Sequence, residues 1–187
     1  MARPRSSEAR QKMLDAATEL ALDVGIRAFT VDELARRSGV AKTTIYRHFP
    51  SKNELIITAL DGVTPVPDVP DTGNLHDDLV IFLGNVLPIF ASAKLRALFL
   101  DIFAAATFDE ELAALQSSMI DGRGEALMTI VARARERGEM PPHLDHDLVV
   151  ELIEGPLIFR ALTNPSRLDG LDLEELTATI IRRLNIG

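Results

Sequence analysis

The sequence predicts an all-α protein, with a three-helix helix-turn-helix domain at its N-terminus and a larger helical domain behind it, about nine helices in total. Three observations predict this. Apolar residues recur at helical spacing in every long segment, and neither a period-2 strand nor an internal repeat is present. Two short helical stretches flank a glycine turn between Val31 and Phe49. A single proline-rich stretch, Thr64–Gly73, separates the first helices from the rest.

The first helix is expected over about Ser7–Val24. Met13, Leu14, Ala17, Leu20, Ala21 and Val24 share one face, and Gly25 is a natural stop. The second runs over Val31–Ser38. Thr30 and Glu33 form a capping box in which the hydroxyl accepts from the Glu33 amide and the carboxylate reaches back. Val31, Leu34 and Ala35 form its inner face, and Gly39 ends it. A third, short helix covers about Lys42–Phe49 and stops before Pro50. Ser51 and Glu54 form a second capping box, opening a fourth helix to about Leu60.

Pro65, Pro67, Pro70 and Gly73 then forbid regular helix, so the domain boundary falls here. Residues 1–52 form the head, a helix over about 52–62 links it, and 75–187 form the second domain. In that domain Leu75–Phe90 is apolar on nearly all sides and is expected to be central, with Pro88 kinking or ending it. Lys94–Ala106 is amphipathic. Asp109–Arg137 is long and weakened by Gly122 and Gly124. Gly138–Pro142 breaks the chain before Asp147–Leu162 and Asp172–Leu184.

The chain has 187 residues, 47% of them hydrophobic and 26% charged, enough to bury a core and too apolar for wholesale disorder. Without cysteine it has no disulfide, thiolate metal site or cysteine nucleophile. Asp15, Glu19 and Asp23 interrupt the segment after the basic start, so no signal peptide is read. The longest apolar run contains Gly84, Asn85 and Pro88 and is too short to span a bilayer; a soluble, cytoplasmic protein is expected.

The net charge of −8 hides an asymmetry. Residues 1–52 hold ten Lys/Arg against six Asp/Glu, a net +4; residues 53–187 hold ten against twenty-two, a net −12. A basic head on an acidic body suits a protein that meets phosphate with one end. The third helix sharpens this. Ile45 and Phe49 share its inward face, so Lys42, Thr43, Thr44, Tyr46, Arg47 and His48 are left outward. Lysine and arginine donate to guanine edges or phosphates, and threonine donates to phosphate or packs on thymine. No acidic residue lies between Glu33 and Glu54.

The residues Thr30-Val31-Asp32-Glu33-Leu34-Ala35, Ser38-Gly39-Val40, Thr44-Ile45-Tyr46-Arg47-His48-Phe49, Ser51-Lys52 and Glu54-Leu55 resemble the N-terminal signature of the tetracycline-repressor (TetR) family over roughly residues 8–60. The resemblance implies an all-helical homodimer that binds a palindromic operator on double-stranded DNA, typically as a repressor released by a small molecule. Carried onto matching positions, it makes Lys42, Thr43 and Arg47 base readers and Thr30, Thr44, Tyr46, His48 and Lys52 phosphate contacts. Ala41 departs from the pattern, since many relatives place a capping serine there; alanine forfeits roughly 1 kcal/mol.

In the second domain Leu148, Leu152, Gly155, Phe159 and Leu162, with Leu173, Leu176, Ile180 and Leu184, provide two apolar faces for a two-fold four-helix interface, or for the domain's own core. Phe82, Val86, Phe99, Phe103, Met119 and Phe159 either line an effector cavity or are ordinary core, and the expected effector is small and largely apolar. No cofactor is called for. His143 and His146 beside Asp145 and Asp147 do not make a metal site, because Asp145 is better placed as a helix cap. Enzyme motifs such as Gly-x-Ser-x-Gly or His-Glu-x-x-His are absent. The rival readings are a helical protein–protein adaptor and a ligand-binding protein that no longer binds DNA.

Overall fold

A computed structural model describes residues 4–60, 63, 68–142 and 144–184. Among the described residues there are nine α-helices and no strand: α1 (Pro4–Ala28), α2 (Val31–Ser38), α3 (Lys42–His48), α4 (Lys52–Leu60), α5 (Leu75–Ala91), α6 (Ala93–Ala106), α7 (Glu110–Glu136), α8 (His146–Thr163) and α9 (Leu173–Leu184). A 3-10 turn over Pro165–Leu168, not expected from the sequence, joins α8 to α9. Residues 64–67 of the expected linker lie outside the described residues, as do residues 61 and 62 at the end of the expected connecting helix.

The chain forms two compact units. The first comprises Met1–Pro65 with Ala97–Ser118, the second Val66–Arg96 with Met119–Gly187. In the first, α1 packs on α2 and α4. Met13, Ala17 and Leu20 of α1 bury against the unit's interior together with Leu34, Ile45, Leu55 and Ile56. Fully burying each large apolar side chain stabilises by about 1.5–3 kcal/mol. Helix α1 does break at Gly25, whose φ of 74° is open to glycine alone at little cost, and then resumes to Ala28. Asp109 caps α7 by accepting from the Glu111 and Leu112 amides, and its other oxygen accepts from the Asn53 side chain at 2.9 Å.

In the second unit α5 packs on α8 and α9. Its core holds Leu79, Phe82, Leu83 and Val86 of α5, Leu127, Ile130 and Val131 of α7, and Val149, Ile153 and Leu157 of α8. Helix α5 is central, but one side stays open: Ile81 is 44% exposed, and Asn85 and Pro88 share that side. Pro88 sits in the last turn, and the helix ends three residues on with the Ser92 amide donating to the Pro88 carbonyl. Glycines 122 and 124 do not interrupt α7. Buried Asp78 accepts from the Thr72 amide and hydroxyl at 2.7 and 2.8 Å, and so fastens the end of the linker to α5.

Candidate nucleic-acid interface

Helices α2 and α3 are joined through Gly39, which takes φ 68° and ψ 15° and donates its amide to the Ala35 carbonyl. Thr30 caps α2 as expected, accepting from the Glu33 amide at 3.2 Å. The reciprocal half of that capping box is not made. Glu33 instead takes Arg36 at 2.6 Å and Arg37 at 3.0 Å, and Arg37 reaches on to Asp23 of α1 at 2.8 Å. Hydrogen bonds from Arg36 first and Arg37 second hold the Glu33 carboxyl down at about 2. Two of the head's arginines are therefore engaged within the head, and its basic character on the outward face rests on fewer groups than the count suggests.

Helix α3 is held at two points. Ile45 and Phe49 are 1% and 2% exposed, and the Arg10 guanidinium lies over the Phe49 ring, 5.5 Å from its centre. Ala41 makes no side-chain cap, as its chemistry requires. Lys42, Thr43, Tyr46 and Arg47 are exposed on α3, while Thr44 and His48 are half-buried. Thr30 is exposed at the start of α2. Lys52, half-buried, lies with its ammonium 6.0 Å over the Phe29 ring. Lys42 is paired with Asp32 of α2, a partner that the sequence reading missed. The signal was present: an acid in the first turn of α2 and a lysine opening α3, across a turn too tight to separate them.

The candidate interface residues of the second unit divide. Leu148, Leu152, Gly155, Phe159 and Leu162 recur at alternating spacings of four and three, a coiled-coil seam along the outside of α8. Leu148, Leu152, Phe159 and Leu162 are 42%, 43%, 68% and 56% exposed, and a Cβ on Gly155 would meet nothing within 4 Å. Ile180 and Leu184 of α9 face the other way, into the unit's own core, and Leu173 and Leu176 are half-buried, Leu173 lying 3.7 Å from where a Cβ on Gly84 would stand. Ile180 and Leu184 are thus corrected from interface to core, because α5 takes up the apolar face of α9 within the same chain.

The candidate pocket residues also part. Phe82 and Val86 are wholly buried in the second unit, and Met119 is half-buried. Phe99 is buried in the first unit with its ring 4.2 Å from that of half-buried Phe103. Phe159 is corrected: on the exposed seam of α8, it cannot line an enclosed cavity of one protomer. Two surface grooves, of about 620 Å³ between α1 and α6 and about 470 Å³ between α7 and α8, use none of the six.

A polar feature inside the second unit was also missed. Arg123 of α7 and Glu154 of α8 are 3% and 4% exposed, with the Arg123 Nε donating to Glu154 Oε2 at 3.4 Å. Oε1 of Glu154 is buried and has no hydrogen-bond partner among the described residues. Burial pushes this carboxyl upward, and the arginine opposes the shift. Arg123 falls on the inward register of Met119, Leu127, Ile130 and Ala134, which was its signal.

Among the described residues no group of three histidines or carboxylates is placed to hold a metal ion; His143 lies outside them. Asp145 caps α8 as expected, accepting from the Leu148 amide at 3.1 Å. No single described helix is long and apolar enough to cross a membrane.

Residues 13–59 match the model of bacterial regulatory proteins of the tetR family, and residues 69–180 match that of the tetracyclin repressor-like C-terminal domain. The chain is 31% identical over 162 residues to the HTH-type transcriptional regulator YdeS of Bacillus subtilis, covering 86% of this chain and 81% of YdeS. It is 32% identical over 151 residues to the DNA-binding transcriptional repressor TetR of Mycobacteroides abscessus, covering 79% of each. Among solved structures, the transcriptional regulator FadR of Bacillus subtilis in complex with stearoyl-CoA superposes with a TM-score of 0.73 at 20% identity, over 95% of this chain and 98% of that one.

Proposed function

The chain belongs to the TetR family of DNA-binding transcriptional regulators, and from this we propose that α3 reads a palindromic operator while the second unit binds an effector that releases it. The observation that carries the reading is the division of α3: Ile45 and Phe49 anchor it, leaving Lys42, Thr43, Tyr46 and Arg47 outward. Lys42, Thr43 and Arg47 are the base readers. Thr30, Thr44, Tyr46, His48 and Lys52 are the phosphate contacts. Residues 1–52 are read as the DNA-binding domain and 75–187 as the effector and dimerisation domain, although Ala97–Ser118 within that span packs in the first unit.

The α8 seam supports the dimer. An exposed heptad stripe is more apolar than a solvated helix face needs to be, and Gly155 lets a second copy approach closely. A two-fold dimer presents two copies of α3, and a two-fold operator is its natural complement. The apolar interior of the second unit supports a small, largely apolar effector. Glu154 adds one acceptor there for a donating group. FadR, which shares the fold, holds an acyl-CoA, whose long apolar chain agrees with this. The family is one of regulators, and the seat of its chemistry is binding.

The test is selection of bound duplexes from a random pool by the purified chain, and sequencing of those retained. An enriched palindrome supports the reading. No enrichment, after unfolding and refolding to strip any co-purified ligand, removes it.

A further inference from the structure

We propose that Asp32 is a specificity-determining positioning residue: it holds Lys42, cancels that charge on non-target DNA, and leaves the remaining N–H donors of the ammonium for a base edge. This rests on the DNA-binding reading above.

Helix α2 opens with two acids of different fates. Glu33 is taken up by Arg36 and Arg37 on its own helix. Asp32 instead pairs with Lys42, the first residue of α3. The Gly39 turn, with Leu34 and Ile45 buried on either side of it, fixes the two helices and hence the pair. Both side chains are open to water, Lys42 at 52% and Asp32 at 70% exposed, so burial does not hold them together.

An exposed ion pair breaks readily, and its effect on folding is small. Its effect on binding differs. Sequence-independent affinity comes from phosphates neutralised by lysine and arginine, with counterions released for each. While Asp32 holds Lys42, that lysine brings almost no net charge to a phosphate. At the correct site, guanine O6 and N7 are neutral acceptors, to which the ammonium can donate while it keeps Asp32, whereas attraction to phosphate depends on the net charge that the pair has cancelled. Asp32 therefore weakens non-specific binding more than specific binding. Specificity is the ratio of the two, so an acid that lowers the first more than the second raises it.

Binding of the full-length chain to a random-sequence duplex and to its selected operator is measured against salt, for wild type, Asp32→Asn, Lys42→Ala and the double variant. Asp32→Asn should tighten binding to the random duplex and steepen its salt dependence by about one phosphate. Its advantage should then shrink roughly three- to fourfold between 50 and 200 mM salt. The operator should gain less, so the specificity ratio falls. In the Lys42→Ala background Asp32→Asn should tighten both duplexes equally and leave the specificity ratio unchanged, an outcome that a merely structural role does not produce. An unchanged salt slope, an equal gain on both duplexes with Lys42 present, or the same fall in the ratio without Lys42 overturns the proposal. Wild type binding neither duplex removes the DNA-binding reading and this proposal together; wild type binding with an unresponsive Asp32→Asn removes the proposal alone.

Discussion

The carboxylate of Asp101, on α6, accepts a hydrogen bond from the backbone amide of Arg27 at 3.2 Å, closing the break in α1. The arrangement depends on Gly25, because a Cβ there would stand 2.6 Å from Asp101 Oδ2. The backbone at Gly25, φ 74° and ψ 171°, lies in a region that other residues almost never adopt.

Gly25→Ala should therefore destabilise the protein by about 1–3 kcal/mol, from backbone strain and displacement of Asp101. Asp101→Ala should cost less, since it removes the bond and leaves the backbone unstrained. Urea midpoints of the two variants check this, and equal midpoints for Gly25→Ala and wild type would count against a strained turn.

Arg47 stands exposed on α3, while the ion pairs of the head among the described residues are made by Arg36, Arg37 and Lys42. Arg47→Ala should cost about 1–3 kcal/mol at the operator and relax preference at one base pair per half-site. Operator binding equal to that of wild type would show that Arg47 is not a reader.

The two apolar faces at the end of the chain should respond differently to a charge. Leu152→Asp, on the α8 seam, should yield a folded monomer by sedimentation, with helical circular dichroism retained. Ile180→Asp should unfold the second unit, because that side chain is 7% exposed and an unpaired buried charge is not tolerated. A Leu152→Asp dimer as tight as wild type would put the interface elsewhere.

Breaking the Arg123–Glu154 pair should be more harmful than replacing it. Glu154→Leu alone takes a carboxylate from a buried guanidinium and should destabilise the protein, whereas Arg123→Met with Glu154→Leu should cost less than that single change. Chemical denaturation of the single and double variants decides this. If both lose equally, the pair is a net source of stability.

Glu33 provides a pH signature. Its folded value of about 2 lies below its ordinary 4.5, so the folded state binds fewer protons than the unfolded chain in that range. Its contribution to stability is present above about pH 4.5 and lost as pH falls through about 2. Glu33→Gln should flatten the acid limb of a urea-midpoint profile, and an unaltered limb would mean that its arginine pairs do not persist in solution.

Much of this was determined by the sequence alone. The heptad positions of α8, the Thr30 and Asp145 caps, the Gly39 turn and the inward pair Ile45 and Phe49 are all local matters. Helical period, capping chemistry and left-handed glycine act within a few residues, so they can be read along the chain. The tertiary structure alone decided which faces meet. Leu148 and Ile180 look equivalent on a helical wheel, yet Leu148 is exposed while Ile180 is buried in the unit that α5 and α9 build. Glu33 was free in the sequence to complete its capping box, but Arg36, Arg37 and, through Arg37, Asp23 of another helix drew it away. Asp32 with Lys42, Arg123 with Glu154 and Asp101 with Arg27 join different helices. Such pairings depend on the packing of whole elements, which no local period encodes.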